Sequence, residues 1–437
     1  MKVLKFGGTS VGTAQRIKDV AALVANRGKN IVVLSAMSGT TNSLVEISDY
    51  LYKKNVTGAK ETINALEAKY ARTIDELYST DEYKKAATEA ISERFDFIRS
   101  FNKPIFTLFE EKEILAQGEL MSTALMYNYM KEQGINVVMI PALEFMRTDK
   151  NAEPDTQYIH NKLTALLDEA PDAALYLTQG YICRNAYGEI DNLQRGGSDY
   201  TASLIGAAIH ADEIEIWTDI DGMHNNDPRF VEGTKPVKEL HFEEAAELAY
   251  FGAKILHPTC VLPAKLNNIP VRLLNTMEPD APGTLIFNSR PTHSIKAVAA
   301  KDNITAIKIK SSRMLLAYGF MRKVFEIFET HRTSIDMVAT SEVGVSVTVD
   351  NERNLHSIIE DLKKFGTVSV DHDMVIICVV GDLEWQNRGF EAEVVNALKD
   401  IPVRMISYGG SNYNISLLVR KCDKVKALNL LSKGLFE

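Results

Sequence analysis

The segment Lys2-Val3-Leu4-Lys5-Phe6 runs straight into Gly7-Gly8-Thr9-Ser10. A short apolar run that ends in two glycines reads as a buried strand and a tight turn. Helical patterning follows from about Thr13 to Val24, and Asn30–Ser35 reads as a second buried strand. Strand, glycine turn, helix and strand in that order define a βαβ unit, and so a mainly parallel sheet.

The rest of the first part fits that frame. From Asn42 to Arg99 the chain is charged, with helical spacing and few breakers, and predicts two to four helices on the sheet. Strands are expected again at Val137–Ile140, Ala174–Thr178 and Glu213–Thr218. Pro279, Pro282, Gly283 and Pro291 then crowd a short stretch, which places a boundary near residues 279–295.

An internal repeat lies beyond it. Helices are expected from Gly319-Phe320 and from Gly389-Phe390. Each is followed by two strands, Ile335–Ala339 with Val345–Val349 and Val403–Ser407 with Ile415–Val419. A last helix ends each copy, Leu355–Phe365 and Val425–Ser432. Two β-α-β-β-α copies predict two ferredoxin-like modules. The second copy lacks a strand of its own, and Ile295–Ala299 is the candidate to supply it, so that one module is inserted in the other.

Length and composition bound the function. The chain has 437 residues, 45% hydrophobic and 24% charged, enough for two or three packed domains. A net charge of −9 argues against a nucleic-acid partner, which needs a basic face. The four cysteines, Cys183, Cys260, Cys378 and Cys422, form no C-x-x-C pair or metal spacing and read as free thiols. No apolar leader or membrane-length run is expected, so a cytoplasmic protein without a membrane partner is predicted.

Five motifs carry chemistry. Gly7-Gly8 after a strand lets backbone amides approach a phosphate, with Lys5 in reach, although no Walker A loop is present. A bare glycine turn with a snorkelling lysine is the competing reading. In Arg195-Gly196-Gly197-Ser198-Asp199, a guanidinium beside open amides suits a carboxylate or phosphate. Ser198 or Asp199 as a plain helix cap is the alternative. Gly118-Glu119-Leu120-Met121-Ser122 puts an acid on a helix. Trp217-Thr218-Asp219-Ile220-Asp221-Gly222 with Asn225–Arg229 is a polar loop at a strand's carboxyl end, where open α/β sheets bind ligands. In Phe251-Gly252-Ala253-Lys254-Ile255-Leu256-His257-Pro258, His257 reads as a helix-end residue rather than a metal ligand, and no metal site is expected.

In their order and rough spacing, KFGGTS, LSAMSGTTN, GELMS, QRGGSDYTA, WTDIDG…DPR and FGAKILHP resemble the aspartokinases, most closely the monofunctional, lysine-sensitive type. The resemblance covers essentially the whole chain. It implies an amino-acid-kinase-like α/β sandwich with a mainly parallel sheet at 1–290. It also implies two ACT modules, one at 304–370 and one built from 295–303 and 371–437. The implied reaction is ATP-dependent phosphorylation of the side-chain carboxylate of L-aspartate, with Mg²⁺. The implied regulator is an amino acid, L-lysine by the same likeness, and the implied assembly is a homodimer or homotetramer through the ACT modules.

Residue by residue, the likeness assigns Lys5 to the transferring phosphoryl group and Gly7, Gly8, Thr9 and Ser10 to the phosphate-cradling turn. Ser35 and Thr41 fall in the aspartate pocket. Glu119 matches the partner of the substrate ammonium, and Arg195 the grip on its α-carboxylate. Ser198 and Asp199 fall at the reaction centre. Thr218, Asp219, Arg229 and Lys254 match nucleotide contacts, and His224 stands where relatives often carry tyrosine. Met314, Gly319, Phe320, Met321, Asp336, Thr340, Ser341 and Glu342 match the effector site, with Asp336 and Glu342 as partners for its amino groups. A sister kinase for another small acid and a non-catalytic amino-acid sensor are the competing functions. A carboxylate nucleophile is already ionised near neutrality, so the chemistry asks for positioning and positive charge rather than a strong base.

Overall fold

The computed structural model describes the chain apart from residues 194–195, 253–255, 291–292 and 312–317. Its elements run β1 (Lys2–Phe6), α1 (Ala14–Ala25), β2 (Asn30–Leu34), α2 (Thr40–Tyr52), α3 (Val56–Leu77), α4 (Asp81–Ser100), α5 (Leu108–Glu132) and β3 (Val137–Met139). They continue with α6 (Ala142–Phe145), α7 (Thr156–Asp168), β4 (Leu175–Gln179), β5 (Ile182–Arg184), β6 (Ile190–Asn192), α8 (Gly197–Ile209) and β7 (Ile214–Thr218). Then come β8 (Glu239–His241), α9 (Phe242–Tyr250), α10 (Pro258–Leu266), β9 (Val271–Asn275), β10 (Thr284–Phe287) and β11 (Ile295–Lys310). The chain ends with α11 (Phe320–Thr330), β12 (Val338–Ser341), β13 (Gly344–Val349), α12 (Leu355–Lys363), β14 (Thr367–Gly381), α13 (Phe390–Ala397), β15 (Met405–Ser407), β16 (Asn414–Arg420) and α14 (Lys424–Phe436).

These elements form two compact units, 1–223 with 255–288 and 224–254 with 289–437. The first unit holds strands in the order β3-β4-β2-β1-β7-β9-β10. Neighbours from β3 through β9 are parallel, and β10 returns antiparallel at the edge. The central strands are buried on both faces, which is why they read as continuous apolar runs rather than alternating ones. Helix α5 is buried nearly all round. Gly118 is what lets it pack there, since a Cβ at that position would sit 2.9 Å from the Ala36 Cβ. All the parallel strands end on the same side, so Gly7, Ser35, Gly180, Thr218 and Thr276 share one rim.

The expected first-unit strands and helices are present, with ends moved by a residue or so. Thr13 caps α1 through its side chain rather than starting it. The breaker-rich stretch holds one strand, β10, that its prolines and Gly283 conceal.

The second unit contains a six-stranded antiparallel sheet, β12-β13-β11-β14-β16-β15. The halves share two long strands. The first part of β11 pairs with the last part of β14, and the last part of β11 with the first part of β14. Ile295–Ala299 is therefore extended and paired with Cys378–Gly381, the half of β14 that also carries β16. What the repeat pattern hides is that β11 and β14 each pass through both halves. A bulge around Asp302-Asn303, with Asn303 at φ 61°, lets β11 do so. Strand β12 begins at Val338, later than expected, because Ile335–Met337 lead into it as an irregular segment.

Candidate active site

The site is built at the shared carboxyl rim of β1, β2, β4, β7 and β9. Lys5 is the second-last residue of β1, and its ammonium is largely buried. Its Nζ lies 2.6 Å from Asp199 Oδ1, in the first turn of α8. Gly7 lies directly beside it, for a Cβ there would stand 3.5 Å from Lys5 Nζ, in ordinary contact. Gly8 passes so close to the β2–α2 turn that a Cβ would lie 2.8 Å from the Ala36 carbonyl oxygen, and Ser38 N–H donates to the Gly8 carbonyl (3.0 Å). Ser10 is buried and shares a 2.6 Å hydroxyl–hydroxyl bond with Thr276, which ties the glycine turn to the end of β9. Thr9 is part of the same turn, and its carbonyl accepts from Arg16.

Helices α2 and α8 both start at this rim on a left-handed glycine, Gly39 (φ 79°) and Gly196 (φ 85°). Neither start has a side-chain cap, which leaves first-turn amides for a ligand. The cap reading of Ser198 or Asp199 is thereby corrected, since the cap position is Gly196 and both residues sit inside the helix. A Cβ on Gly196 would collide with Cys260 Sγ at 2.0 Å, and one on Gly180 with the Ser198 side chain at 2.3 Å. Tyr181, at φ 65°, donates its N–H to Thr201 Oγ1 (2.8 Å) and closes that corner.

Glu119, on α5, is fully enclosed and accepts from the Ala36 amide (3.2 Å). Burial pushes its carboxyl up to about 8, because no cation among the described residues offsets the lost hydration. Ser35 is held at both ends, its N–H donating to Phe6 (3.1 Å) and its carbonyl accepting from Ser122 Oγ (2.7 Å). Thr41 is exposed in the first turn of α2. At the end of β7, Thr218 Oγ1 donates to Asp219 (3.1 Å) and its carbonyl accepts from Thr276 N–H (2.8 Å).

Three expected residues, Arg195, Lys254 and Met314, lie outside the described residues. The structure gathers Lys5, Gly7, Gly8, Thr9, Ser10, Ser35, Thr41, Glu119, Ser198, Asp199, Thr218 and Asp219 in the first unit. His224 and Arg229 belong to the second unit. There His224 Nδ1 meets Thr234 Oγ1 (2.9 Å), and Arg229 grips Asp227 with two nitrogens, Nε at 2.9 Å and Nη2 at 2.6 Å. His257 caps α10 by accepting from Thr259 N–H, the helix-end role its sequence context predicts.

The expected effector residues are in the second unit. Gly319 (φ 84°) caps α11, Phe320 and Met321 open it, and Thr340, Ser341 and Glu342 form the exposed tip of the β12–β13 hairpin. Asp336, expected as a partner for the effector's amino group, is already engaged within the chain. Its side chain is 1% exposed, and Oδ1 already receives Lys301 Nζ and the Tyr250 hydroxyl, each at 2.7 Å. Its Oδ2 is buried with no hydrogen-bond partner among the described residues.

Four site residues escape sequence reading. Gly180, Tyr181, Cys260 and Thr276 shape the rim through packing and backbone rather than by carrying charge. A glycine closing an apolar run (Leu175–Gly180) was the available signal for the first two; nothing local marks Cys260. Among the described residues no group of three or more His, Cys, Asp or Glu side chains converges to hold a metal.

Comparison with known proteins agrees with this geometry. Residues 1–275 match the model of the amino acid kinase family, and residues 377–435 match an ACT domain model. The chain is 35% identical to aspartokinase 1 of Arabidopsis thaliana, over 100% of this chain and 80% of that protein. It is 32% identical to lysine-sensitive aspartokinase 3 of Escherichia coli, over 100% of this chain and 99% of that one. The crystal structure of E. coli aspartokinase III with aspartate and ADP superposes with a TM-score of 0.83 at 32% identity, covering 100% of both chains. The chain belongs to the amino acid kinase family and, within it, to the aspartokinases.

Proposed function

We propose that this chain transfers the γ-phosphoryl group of ATP to the side-chain carboxylate of L-aspartate, giving 4-phospho-L-aspartate and ADP. The observation that carries this reading is the buried Lys5 ammonium, 2.6 Å from Asp199, at a rim lined by glycine turns. An aspartate carboxylate oxygen bonds to the γ-phosphorus as the bond to the β-phosphate oxygen breaks, and ADP leaves with that electron pair. No proton has to move. The cost lies in bringing an anion up to a polyanion, and Lys5 and the backbone amides offset it. Glu119 receives the substrate ammonium, and the α-carboxylate falls to Arg195. Mg²⁺ would accompany the nucleotide and would neutralise part of the phosphate charge that Lys5 and the backbone amides face.

The domain reading follows. Residues 1–290 form the catalytic domain, 304–370 one ACT module, and 295–303 with 371–437 the other. The halved pairing of β11 and β14 supports the insertion, while the grouping of 224–254 with the second unit departs from a single cut near 290. The ACT modules bind a free amino acid, L-lysine, which slows the enzyme, and they pair chains into a homodimer or tetramer. The unpartnered Asp336 Oδ2 supports a cationic effector, because a buried carboxylate oxygen without a donor is costly. Among the described residues no helix is long and apolar enough to cross a membrane, and the four cysteines are free, which supports a cytoplasmic location.

ADP release measured with aspartate, glutamate, N-acetylglutamate and no acceptor tests the assignment. Aspartate alone should support turnover. Equal rates with any other acid would reassign the substrate, and ADP release without an acceptor would remove the acceptor role altogether.

A further inference from the structure

A local twofold relates the two halves of the antiparallel sheet, and it exposes a second charged site. The pairs Lys301↔Ile376 and Ala306↔Asp371 exchange under it. So do Thr305↔Val349 and Val375↔Val419. The Asp336 amide donates to the Thr348 carbonyl (2.9 Å), and the Arg404 amide to the Leu418 carbonyl (2.7 Å). Asn303 and Asp373, at the related bends, both take positive φ, 61° and 53°. Lys301 therefore corresponds to Asp371, Asp336 to Arg404, and Asp350 to Arg420.

The charges are inverted between the halves. In the first, one cation stands between two acids, Lys301 Nζ lying 2.7 Å from Asp336 and 2.9 Å from Asp350. Tyr250 covers that triad, its hydroxyl on Asp336 and its ring centre 4.4 Å from Lys301 Nζ. In the second, one acid faces two cations. Asp371 lies 2.9 Å from Arg404 Nε, and among the described residues the Arg420 guanidinium has no ion-pair partner. A cavity of about 840 Å³ lies there, lined by Arg404, Arg420, His372, Lys421 and Cys422 and by two acids, Asp371 and Asp373.

We propose that this cavity binds a small-molecule oxyanion, a carboxylate or a phosphate, held between Arg404 and Arg420 as Lys301 is held between Asp336 and Asp350. Forked guanidinium donors match planar or tetrahedral oxyanions in two-point contact. The volume falls within the range of small-ligand pockets, and the cavity opens to solvent. Asp371 fixes Arg404, so the ligand meets one oriented donor and a second, Arg420, that has no ion-pair partner among the described residues. The site lies in the second half of the sheet, on residues other than those expected to hold the effector.

Cys422 gives a local readout, being the exposed cysteine while Cys183, Cys260 and Cys378 are buried. The full-length chain is treated with a thiol reagent in the presence of succinate, inorganic phosphate, or chloride at matched ionic strength. Succinate or phosphate should slow Cys422 modification several-fold and saturably, and the one acting at lower concentration names the class. Arg420→Gln, which disturbs no ion pair, should abolish protection while melting like wild type. Arg420→Lys, which keeps the charge without the fork, should retain a weakened form. Protection no greater than chloride gives, or protection unchanged in Arg420→Gln, overturns the proposal. So does a Cys422 that is unreactive without any anion, because a second copy of the chain would then be covering the cavity.

Discussion

The Lys5 ammonium, at the end of β1, pairs with the Asp199 carboxylate of α8 at 2.6 Å, across nearly two hundred residues of sequence. Both groups are mostly buried, so the pair is a fixed element of the site rather than a surface contact. In the proposed reaction Asp199 would hold Lys5 along the rim where the phosphoryl group passes. Asp199→Asn should keep the shape but leave the ammonium less well oriented. A fall in kcat of about 10–100-fold is expected, with a smaller change in the aspartate KM, as for loss of a preorganised electrostatic contact. Steady-state kinetics with both substrates varied checks it; a change confined to KM would make Asp199 a binding residue only.

Glu119 carries a proton that substrate binding should displace. Burial raises its carboxyl from the ordinary 4.5 to about 8, so the empty site is mostly neutral at pH 7. An arriving ammonium favours the carboxylate, and aspartate binding at pH 7 should release about one proton. Calorimetry in buffers of different ionisation enthalpy measures that number, and no release would mean the ammonium binds elsewhere.

The same group sets a pH dependence of stability. The folded chain holds this proton and the unfolded chain gives it up above about 4.5, so stability is lost as pH rises from there to about 8. Above 8 the penalty is complete. Glu119→Gln carries no such penalty and should melt above wild type at pH 9, by a margin that shrinks toward pH 5. It should also raise the aspartate KM. A variant that melts lower at both pH values would show that the carboxylate has a structural partner.

Gly196 is required twice over. Its φ is 85°, and a Cβ would meet Cys260 Sγ at 2.0 Å. Gly196→Ala should cost about 1–3 kcal/mol and most of the activity. Adding Cys260→Ala removes the collision but not the backbone strain, so it should restore part of the stability. Thermal melts of the three variants decide it, and no recovery in the double variant would assign the whole cost to backbone.

Asp336 joins the effector reading to Lys301. Its pair with Lys301 is buried, and although burial lowers the lysine's pKa, Asp336 and Asp350 reverse this and leave it raised. Asp336→Asn should abolish inhibition by lysine and leave the rate without effector near wild type. Retained inhibition would move the effector's amino group to another acid.

The fold was legible wherever local pattern and burial agree. Lys2–Phe6, Asn30–Leu34 and the repeat helices are strong because buried strands are continuously apolar and the helices amphipathic. Strand β10 was not legible, since Pro282 and Gly283 break the run before it. Nor was the passage of β11 through both halves, which depends on a bulge and on partners far along the chain. In the site, Lys5 could be read because a charge beside a glycine turn at a strand end suits a phosphate, while Glu119 and Asp199, both on helices, were singled out through the family resemblance. The Lys5–Asp199 pairing, the depth of Glu119 and the enclosure of Asp336 could not, because each is set by tertiary packing. Cys260 against Gly196 belongs with them.

Trapping the acyl phosphate tests the central claim most directly. With ATP, aspartate and hydroxylamine, the wild-type chain should form aspartyl hydroxamate in step with ADP. Lys5→Ala should form it about 10²–10³-fold more slowly, with little change in the aspartate KM, since the lost charge acts on the transferring phosphoryl group. ADP production without hydroxamate, or near wild-type turnover in Lys5→Ala, would contradict the account.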